Sequence, residues 1–158
     1  MTILLSVLGM VALVAVDQVL KLLVVQSISD GRIVQLFGDV LVLKYSENTG
    51  SAFSMFSGHT EILTVLTALL IIALPFLYWY MKFEHPWAKA SLFLILPGGV
   101  GNLIDRIFRG YVVDYIYFTP INFPIFNFAD ILVVSGVVAL AIYVLFFYRP
   151  GKEESLHE

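Results

Sequence analysis

Two carboxylates stand out in a stretch that is otherwise apolar and aromatic. Asp114 lies near the start of "VVDYIYFTPINFPIFNFAD", which covers residues 112–130, and Asp130 is its last residue. Two carboxyl groups held close together away from water cannot both ionise, so one keeps a proton while the other is charged. Such a pair supplies the general base and the general acid needed to drive water onto an amide. The pair therefore predicts an aspartyl hydrolase.

Each of these acids also has a simpler interpretation. Asn127 is a typical N-cap residue, so Asp130 could be a helix-start acid that the helix dipole favours. Asp114 could be an ordinary loop carboxylate. The carboxylate and amide oxygens could also form a site for a hard cation.

Another polar group occurs in "PGGVGNLIDR", residues 97–106. Asn102, Asp105 and Arg106 are spaced by three and four residues, which places them on one face of a helix. They either satisfy one another's charge or support a functional site, and the sequence leaves both interpretations open. The glycines in this stretch indicate close packing between helices.

Asp17 and Lys21 lie four residues apart inside the first apolar segment, with the acid first. This order and spacing favour an ion pair on one helix face. Charges at membrane depth are costly and face protein or water, so we expect a structural polar pair directed into the protein.

Other kinds of chemistry find little support. The chain has no cysteine, which excludes disulfides, thiolate metal sites and a cysteine nucleophile. His59, His85 and His157 are not at zinc-binding spacings, and neither HExxH nor GxSxG occurs. No metal and no cofactor are expected.

Composition places these residues in a membrane protein. Of 158 residues, 59% are hydrophobic and 13% are charged, and the mean hydropathy is +0.91, which is too apolar for a soluble domain. The net charge is only −3 and no basic run occurs, so a nucleic-acid partner is not expected. We predict a single integral membrane domain covering residues 1–158.

Hydropathy divides the chain into four apolar segments, each long enough to cross a bilayer as a helix. The fold class is therefore an all-α four-helix membrane bundle. The long first connection contains "IVQLFGDVLVLKY" around a Gly38-Asp39 turn signal, which predicts a short strand pair. The predicted spans are about 3–25, 62–81, 88–108 and 128–148.

Alternation of the spans gathers the acids at one face of the membrane. The end of span 1, the end of span 3, the third connection and the start of span 4 all lie on that side, and they carry the four aspartates Asp17, Asp105, Asp114 and Asp130. Basic residues around the other connection and the tail favour cytoplasmic termini. Arg106 and Arg109 oppose this bias. We expect the acids near the extracytoplasmic face.

Five sequence blocks, in this order, resemble the bacterial lipoprotein signal peptidases, also called signal peptidase II. No single block is decisive, but the ordered set is highly specific. The blocks are "DQVLK" at 17–21, "NTGSAFS" at 48–54, "GNLIDR" at 101–106, "GYVVDYI" at 110–116 and "FNFAD" at 126–130.

The resemblance implies a fold and an activity. The fold would have four transmembrane helices, a small extracytoplasmic β-cradle from about residue 26 to 61, and a periplasm-side loop or short helix between helices 3 and 4. The enzyme would sit in the bacterial cytoplasmic membrane with both termini cytoplasmic. It would remove signal peptides from prolipoproteins by cutting before a diacylglyceryl-modified cysteine. Its partners would be these substrates and membrane lipids, and it would act as a monomer.

The resemblance also assigns roles to residues. Asp114 and Asp130 would be catalytic, and Asp17 with Lys21 would be the structural polar pair. The residues implied in substrate binding or in support of the catalytic aspartates are Asn48, Gly50, Asn102, Asp105, Arg106, Asn127 and Ala129.

Aromatic side chains on the same side are candidates to shield the attacking water and contact lipid. They are Phe53, Phe56, Tyr115, Tyr117 and Phe123, although interfacial anchoring explains aromatic residues equally well. The rival hypothesis is a non-enzymatic carrier or a cation or proton pathway, which expects acids spread through the membrane depth. Other intramembrane aspartyl proteases expect a GxGD motif, which is absent from the sequence.

Overall fold

The computed structural model describes residues 2–50 and 60–148, and this part of the chain contains four helices long and apolar enough to cross a membrane. The predicted four-helix membrane fold is confirmed. The helices are α1 (Thr2–Ile28), α2 (Thr60–Met81), α3 (Pro86–Arg109) and α4 (Phe128–Phe146).

The outer surface of the helices is apolar. Val11 on α1, Ile72 on α2 and Leu145 on α4 are 60%, 71% and 75% exposed. Helices apolar on their outer faces contact lipid chains, while their few polar groups turn inward. This distribution accounts for the burial of Asp17 and Lys21 inside the protein.

A small antiparallel sheet lies beside one end of α1. Its strands, within the described residues, are β1 (Ile33–Phe37), β2 (Leu41–Asn48) and β3 (Val112–Phe118), in the order β1-β2-β3. The β1-β2 hairpin confirms the strand pair predicted around Gly38-Asp39. Strand β3 differs from the prediction, which places a loop or short helix between α3 and α4.

The connection between α3 and α4 contains both β3 and a single 3₁₀ turn, Thr119–Ile121. The register of β2 against β3 sets Ser46 opposite Asp114 and Asn48 opposite Val112. Because these strands are paired, the end of the first connection lies directly beside Asp114.

The sheet is joined to the helices by a hydrophobic cluster. Val24 and Ile28 of α1 pack with Val113 and Tyr115 of β3. Successive residues of a strand point to opposite faces, so Asp114, between them, points away from this cluster. Burial of Val113 and Tyr115 against α1 thereby directs the Asp114 carboxylate to the other side.

Candidate active site

A cleft of about 480 Å³ lies between β3, α3 and the start of α4. One end is polar and the remainder is mainly apolar. The polar lining residues are Asn48, Asn102, Arg106, Asp114 and Asp130, and the others are Val112, Phe123, Pro124, Phe126, Ile131, Val133, Val134 and Ser135. The cleft therefore combines a charged end with a surface suited to an apolar ligand.

Strand β3 delivers Asp114 to the cleft, and two side-chain amides bind it. Asn127 Nδ2 donates to Asp114 Oδ1 at 2.6 Å, and Asn48 Nδ2 donates to Asp114 Oδ2 at 2.8 Å. Burial, and secondly the neighbouring charge of Asp130, raise the pKa of Asp114 to about 7. A carboxyl group with this pKa carries a proton on about half of the molecules near neutral pH.

The first turn of α4 places Asp130. Asn127 is the N-cap of α4, and its Oδ1 accepts from the Asp130 backbone N–H at 2.9 Å. In return, Asp130 Oδ2 accepts from the Asn127 backbone N–H at 3.1 Å. This is a capping box, so Asp130 is the helix-start acid that the sequence suggested. It also lines the cleft, where Asn102 Nδ2 donates to its Oδ1 at 2.7 Å.

Two of the amides that contact the aspartates are oriented by backbone donors. The Gly50 N–H donates to Asn48 Oδ1 at 2.9 Å, and the Asp130 N–H donates to Asn127 Oδ1. A backbone N–H can only donate, so the amide oxygen faces it and the NH₂ group turns toward the carboxylates. These donors are preorganised to stabilise negative charge on the aspartate pair.

Three fully buried charges lie behind the aspartate pair. Lys21 Nζ lies 2.9 Å from Asp17 Oδ2 and 3.0 Å from Asp105 Oδ2. The predicted ion pair between Asp17 and Lys21 is present, with Asp105 as a second acid. A buried group of this kind is stabilised by additional hydrogen bonds to its carboxylates.

Those hydrogen bonds tie the buried acids to the elements that carry the aspartate pair. Asp17 Oδ1 accepts from the Ala129 N–H at 3.1 Å, and Asp105 Oδ2 accepts from the Val113 N–H at 3.1 Å. Ala129 precedes Asp130, and Val113 precedes Asp114. Each buried carboxylate therefore fixes the backbone next to one cleft aspartate. The Ala129 N–H is also one of the first-turn donors that lack a partner within the helix.

Close approach of α1 to α3 makes this arrangement possible. A Cβ atom at Gly101 would lie 2.5 Å from Asp17 Oδ2. Gln18 Nε2 donates to the Gly101 carbonyl oxygen and to Asp17 Oδ2, both at 3.1 Å. Gln18 is not among the predicted site residues, although it directly follows a charged position inside an apolar segment.

Asp105 and Arg106 do not satisfy each other's charge. The ion pairs of Asp105 are with Lys21 and, at 3.4 Å, with Arg109. Arg106 instead lines the cleft, and its Nη2 lies 3.4 Å from the Gly50 carbonyl oxygen. Arg106 is thus directed at the polar end of the cleft.

The aromatic residues predicted to shield the attacking water lie in different parts of the described structure. Phe123 lines the cleft, but Tyr115 lies in the hydrophobic cluster against α1. Tyr117 faces a different cavity, where Lys44 Nζ lies 5.6 Å from its ring centroid. The prediction is therefore wrong for both tyrosines. Phe53 and Phe56 lie outside the described residues, as do residues 51–54 of the "NTGSAFS" block.

The geometry gives little support to a cation site. Within residues 2–50 and 60–148, no group of three or more acidic or histidine side chains is placed to hold a metal ion. The oxygens of Asp114 and Asp130 accept from N–H donors, which compete with a cation for the same lone pairs.

Comparison with known proteins gives consistent matches over most of the chain. The family model described as "Signal peptidase (SPase) II" matches residues 9–146. A lipoprotein signal peptidase of Lactococcus lactis subsp. cremoris (strain SK11) is 44% identical over 143 residues, which cover 90% of this chain and 94% of the relative. A lipoprotein signal peptidase of Clostridioides difficile (strain 630) is 37% identical over 148 residues, covering 94% and 99%.

A solved structure of a bacterial membrane enzyme shares the fold. It superposes with a TM-score of 0.82 at 30% sequence identity, and the match covers 94% of this chain and 92% of that one.

Proposed function

This chain belongs to the signal peptidase II family, and we propose that it is an aspartyl endopeptidase that removes signal peptides from prolipoproteins. Cleavage occurs before a cysteine that already carries a diacylglyceryl group. One observation carries the proposal: Asp114 and Asp130, from a strand and a helix, line one cleft and are bridged by Asn127. Side-chain amides donate to both carboxylates, and a backbone N–H also donates to Asp130.

The two aspartates have different roles in the reaction. Each carboxylate accepts from two N–H donors, so these contacts do not distinguish the pair. Asp130 is the charged base, because it lies in the first turn of α4, where the helix dipole favours a negative charge. Asp114 holds the proton, in agreement with its raised pKa of about 7. Asn127 contacts both and fixes their relative position.

The chemical steps follow from these roles. The oxygen of a water molecule attacks the scissile carbonyl carbon, Asp130 takes a proton from that water, and Asp114 gives its proton to the carbonyl oxygen. The resulting neutral diol then collapses and the C–N bond breaks. The leaving nitrogen receives the proton from Asp130, and a hydroxyl proton returns to Asp114. Both aspartates regain their starting states.

The shape of the cleft supports a membrane-anchored substrate. Ile131 and Val134 on α4 extend the lining from Asp130 into the apolar part of the helix, and both are exposed. An apolar signal peptide or a diacylglyceryl chain can lie there while its polar end reaches the aspartates. Further parts of the proposal are cytoplasmic termini, an extracytoplasmic site and a monomeric enzyme.

The test compares two precursors of identical sequence, one with a diacylglyceryl-modified cysteine and one with the free thiol. Purified enzyme in lipid is expected to cleave the modified precursor, giving a product that begins at the modified cysteine. The unmodified precursor is expected to stay intact. Equal cleavage of both would overturn the proposed substrate, and cleavage of neither would overturn the proposed activity.

The assignment of the proton to Asp114 predicts how activity depends on pH. Below about pH 7 this carboxyl is protonated and can act as the acid, and above its pKa of about 7 it loses that proton. We therefore expect kcat/KM to fall by about tenfold for each pH unit above this value. The measurement is kcat/KM from neutral to alkaline pH, with the folded fraction followed by thermal melting. A constant kcat/KM in that range, with the protein folded, would contradict the assignment.

A further inference from the structure

We propose that Lys21 is a positioning residue for the reaction, which orients and polarises the Asn102 amide so that Asn102 donates to Asp130. The proposal rests on the function proposed above and goes beyond a structural ion pair. It concerns the hydrogen bond from Lys21 to Asn102, in which the ammonium group binds a neutral amide and not a carboxylate.

All three N–H donors of the ammonium group have partners. Two face the carboxylates of Asp17 and Asp105, and the third faces Asn102 Oδ1 at 2.9 Å. The Lys21 side chain is fully buried, so these contacts are not exchanged for water. The third N–H of Lys21 therefore binds a neutral amide, although the two carboxylates share only the single positive charge of Lys21.

This contact determines which end of the Asn102 amide faces Asp130. An ammonium group can only donate, so the atom beside it is the amide oxygen. Asn127 Nδ2 also donates to that oxygen, at 3.1 Å. The NH₂ group is left to face Asp130, where Nδ2 lies 2.7 Å from Oδ1.

The charge of Lys21 also strengthens the hydrogen bond from Asn102 to Asp130. A charged donor on a carbonyl oxygen polarises the amide, and linked hydrogen bonds reinforce one another in a low-dielectric interior. The Asn102 N–H consequently becomes a better donor to Asp130. Because Asn127 supplies a second donor to Asn102 Oδ1, loss of Lys21 weakens the arrangement without abolishing it.

The test needs variants in which no buried carboxylate is left without a counter-charge. Removal of Lys21 alone would leave Asp17 and Asp105 unpaired. Asp17→Asn and Asp105→Asn remove those charges and keep an oxygen for the Ala129 and Val113 N–H groups. On this neutral background, Lys21→Gln and Lys21→Met have side chains of equal length, and only glutamine keeps an N–H donor.

The glutamine variant of the neutral background is the reference for kcat on the modified precursor. The methionine variant should lose about tenfold to a hundredfold in kcat per folded molecule, with KM nearly unchanged. When Asn102→Leu is added, the two variants should have the same kcat, because Lys21 acts through Asn102. Equal kcat for the glutamine and methionine variants while Asn102 is present would overturn the proposal.

A second variant tests the same role of Lys21 while Asp17 and Asp105 keep their charges. Lys21→Arg keeps the positive charge and donors for Asp17 and Asp105, but the broad guanidinium cannot place a single N–H as the ammonium does. We expect kcat to fall by about tenfold while the folded fraction is retained. Unchanged kcat would overturn the orienting role of Lys21, because the positive charge alone would then suffice. Failure of the wild-type enzyme to cleave the modified precursor would instead refute the proposed function.

Discussion

Asp114→Asn and Asp130→Asn should each reduce cleavage of the modified precursor by up to roughly 10⁴-fold, because an amide can replace neither the proposed acid nor the proposed base. Asparagine has the size of aspartate and keeps one accepting oxygen. In Asp114→Asn this oxygen can still accept from Asn48 or Asn127. The folded protein should therefore still accumulate in the membrane while turnover is lost.

In Asp130→Asn, the new oxygen can replace Asp130 Oδ2 as the acceptor of the Asn127 N–H, so both hydrogen bonds of the capping box survive. The new NH₂ group then faces the Asn102 NH₂ group, which places two donors together. We expect a modest loss of stability with complete loss of turnover.

The matched control for both substitutions is Asp39→Asn in the exposed turn between β1 and β2, where Asp39 accepts from Gln35. It makes the same chemical change on the same sheet, outside the cleft, and should leave turnover unchanged. The measurements are kcat per folded molecule and the thermal midpoint in lipid. Retained cleavage by the Asp114 or the Asp130 variant would refute the aspartate pair as the catalytic groups.

Local sequence signals were sufficient for the elements that depend on near neighbours. The spans follow from continuous hydropathy, and the β1-β2 hairpin follows from a Gly38-Asp39 turn between apolar runs. The ion pair of Asp17 and Lys21 follows from helical spacing alone. In each case the residues that interact lie within a few positions of one another.

Strand β3 could not be recognised in this way. Val112, Val113, Asp114 and Tyr115 are all buried, because the cleft and α3 cover one side and α1 covers the other. The alternation of apolar and polar residues that marks a half-exposed strand is therefore missing. Its partner β2 lies more than sixty residues earlier in the chain, and no local pattern encodes that register.

The partners of the buried charges could not be predicted from the sequence either. Asn102, Asp105 and Arg106 share a helix face by their spacing, but folding pairs Asp105 with Lys21 of another helix. Asp17 accepts from a backbone N–H that is 112 residues away. Residue types indicated a polar site at one end of the bundle. The hydrogen bonds and ion pairs within that site depend on how α1, α3 and α4 approach one another.

Gly98→Ala should therefore disturb the site without changing any polar group. A Cβ atom at Gly98 would lie 2.5 Å from the Ala129 carbonyl oxygen and 2.8 Å from Val133 Cγ2. The carbonyl oxygen belongs to the first turn of α4 and cannot rotate away, so α3 and α4 must separate at the residue before Asp130. Overpacking of this kind costs about 1–3 kcal/mol of stability, and a shift of about 1 Å in a catalytic group costs roughly 10²-fold in rate.

Gly99→Ala is the matched control, since it makes the same change on the neighbouring residue of α3. There a Cβ atom would meet Ile71 Cγ1 at 3.3 Å, the flexible side chain of another helix, which can move by a few tenths of an ångström. This control should retain turnover, and alanine should slightly favour the helix. We expect Gly98→Ala to lower both the thermal midpoint and kcat per folded molecule. If Gly98→Ala matched Gly99→Ala in both, the close contact of α3 with the start of α4 would not be what places Asp130.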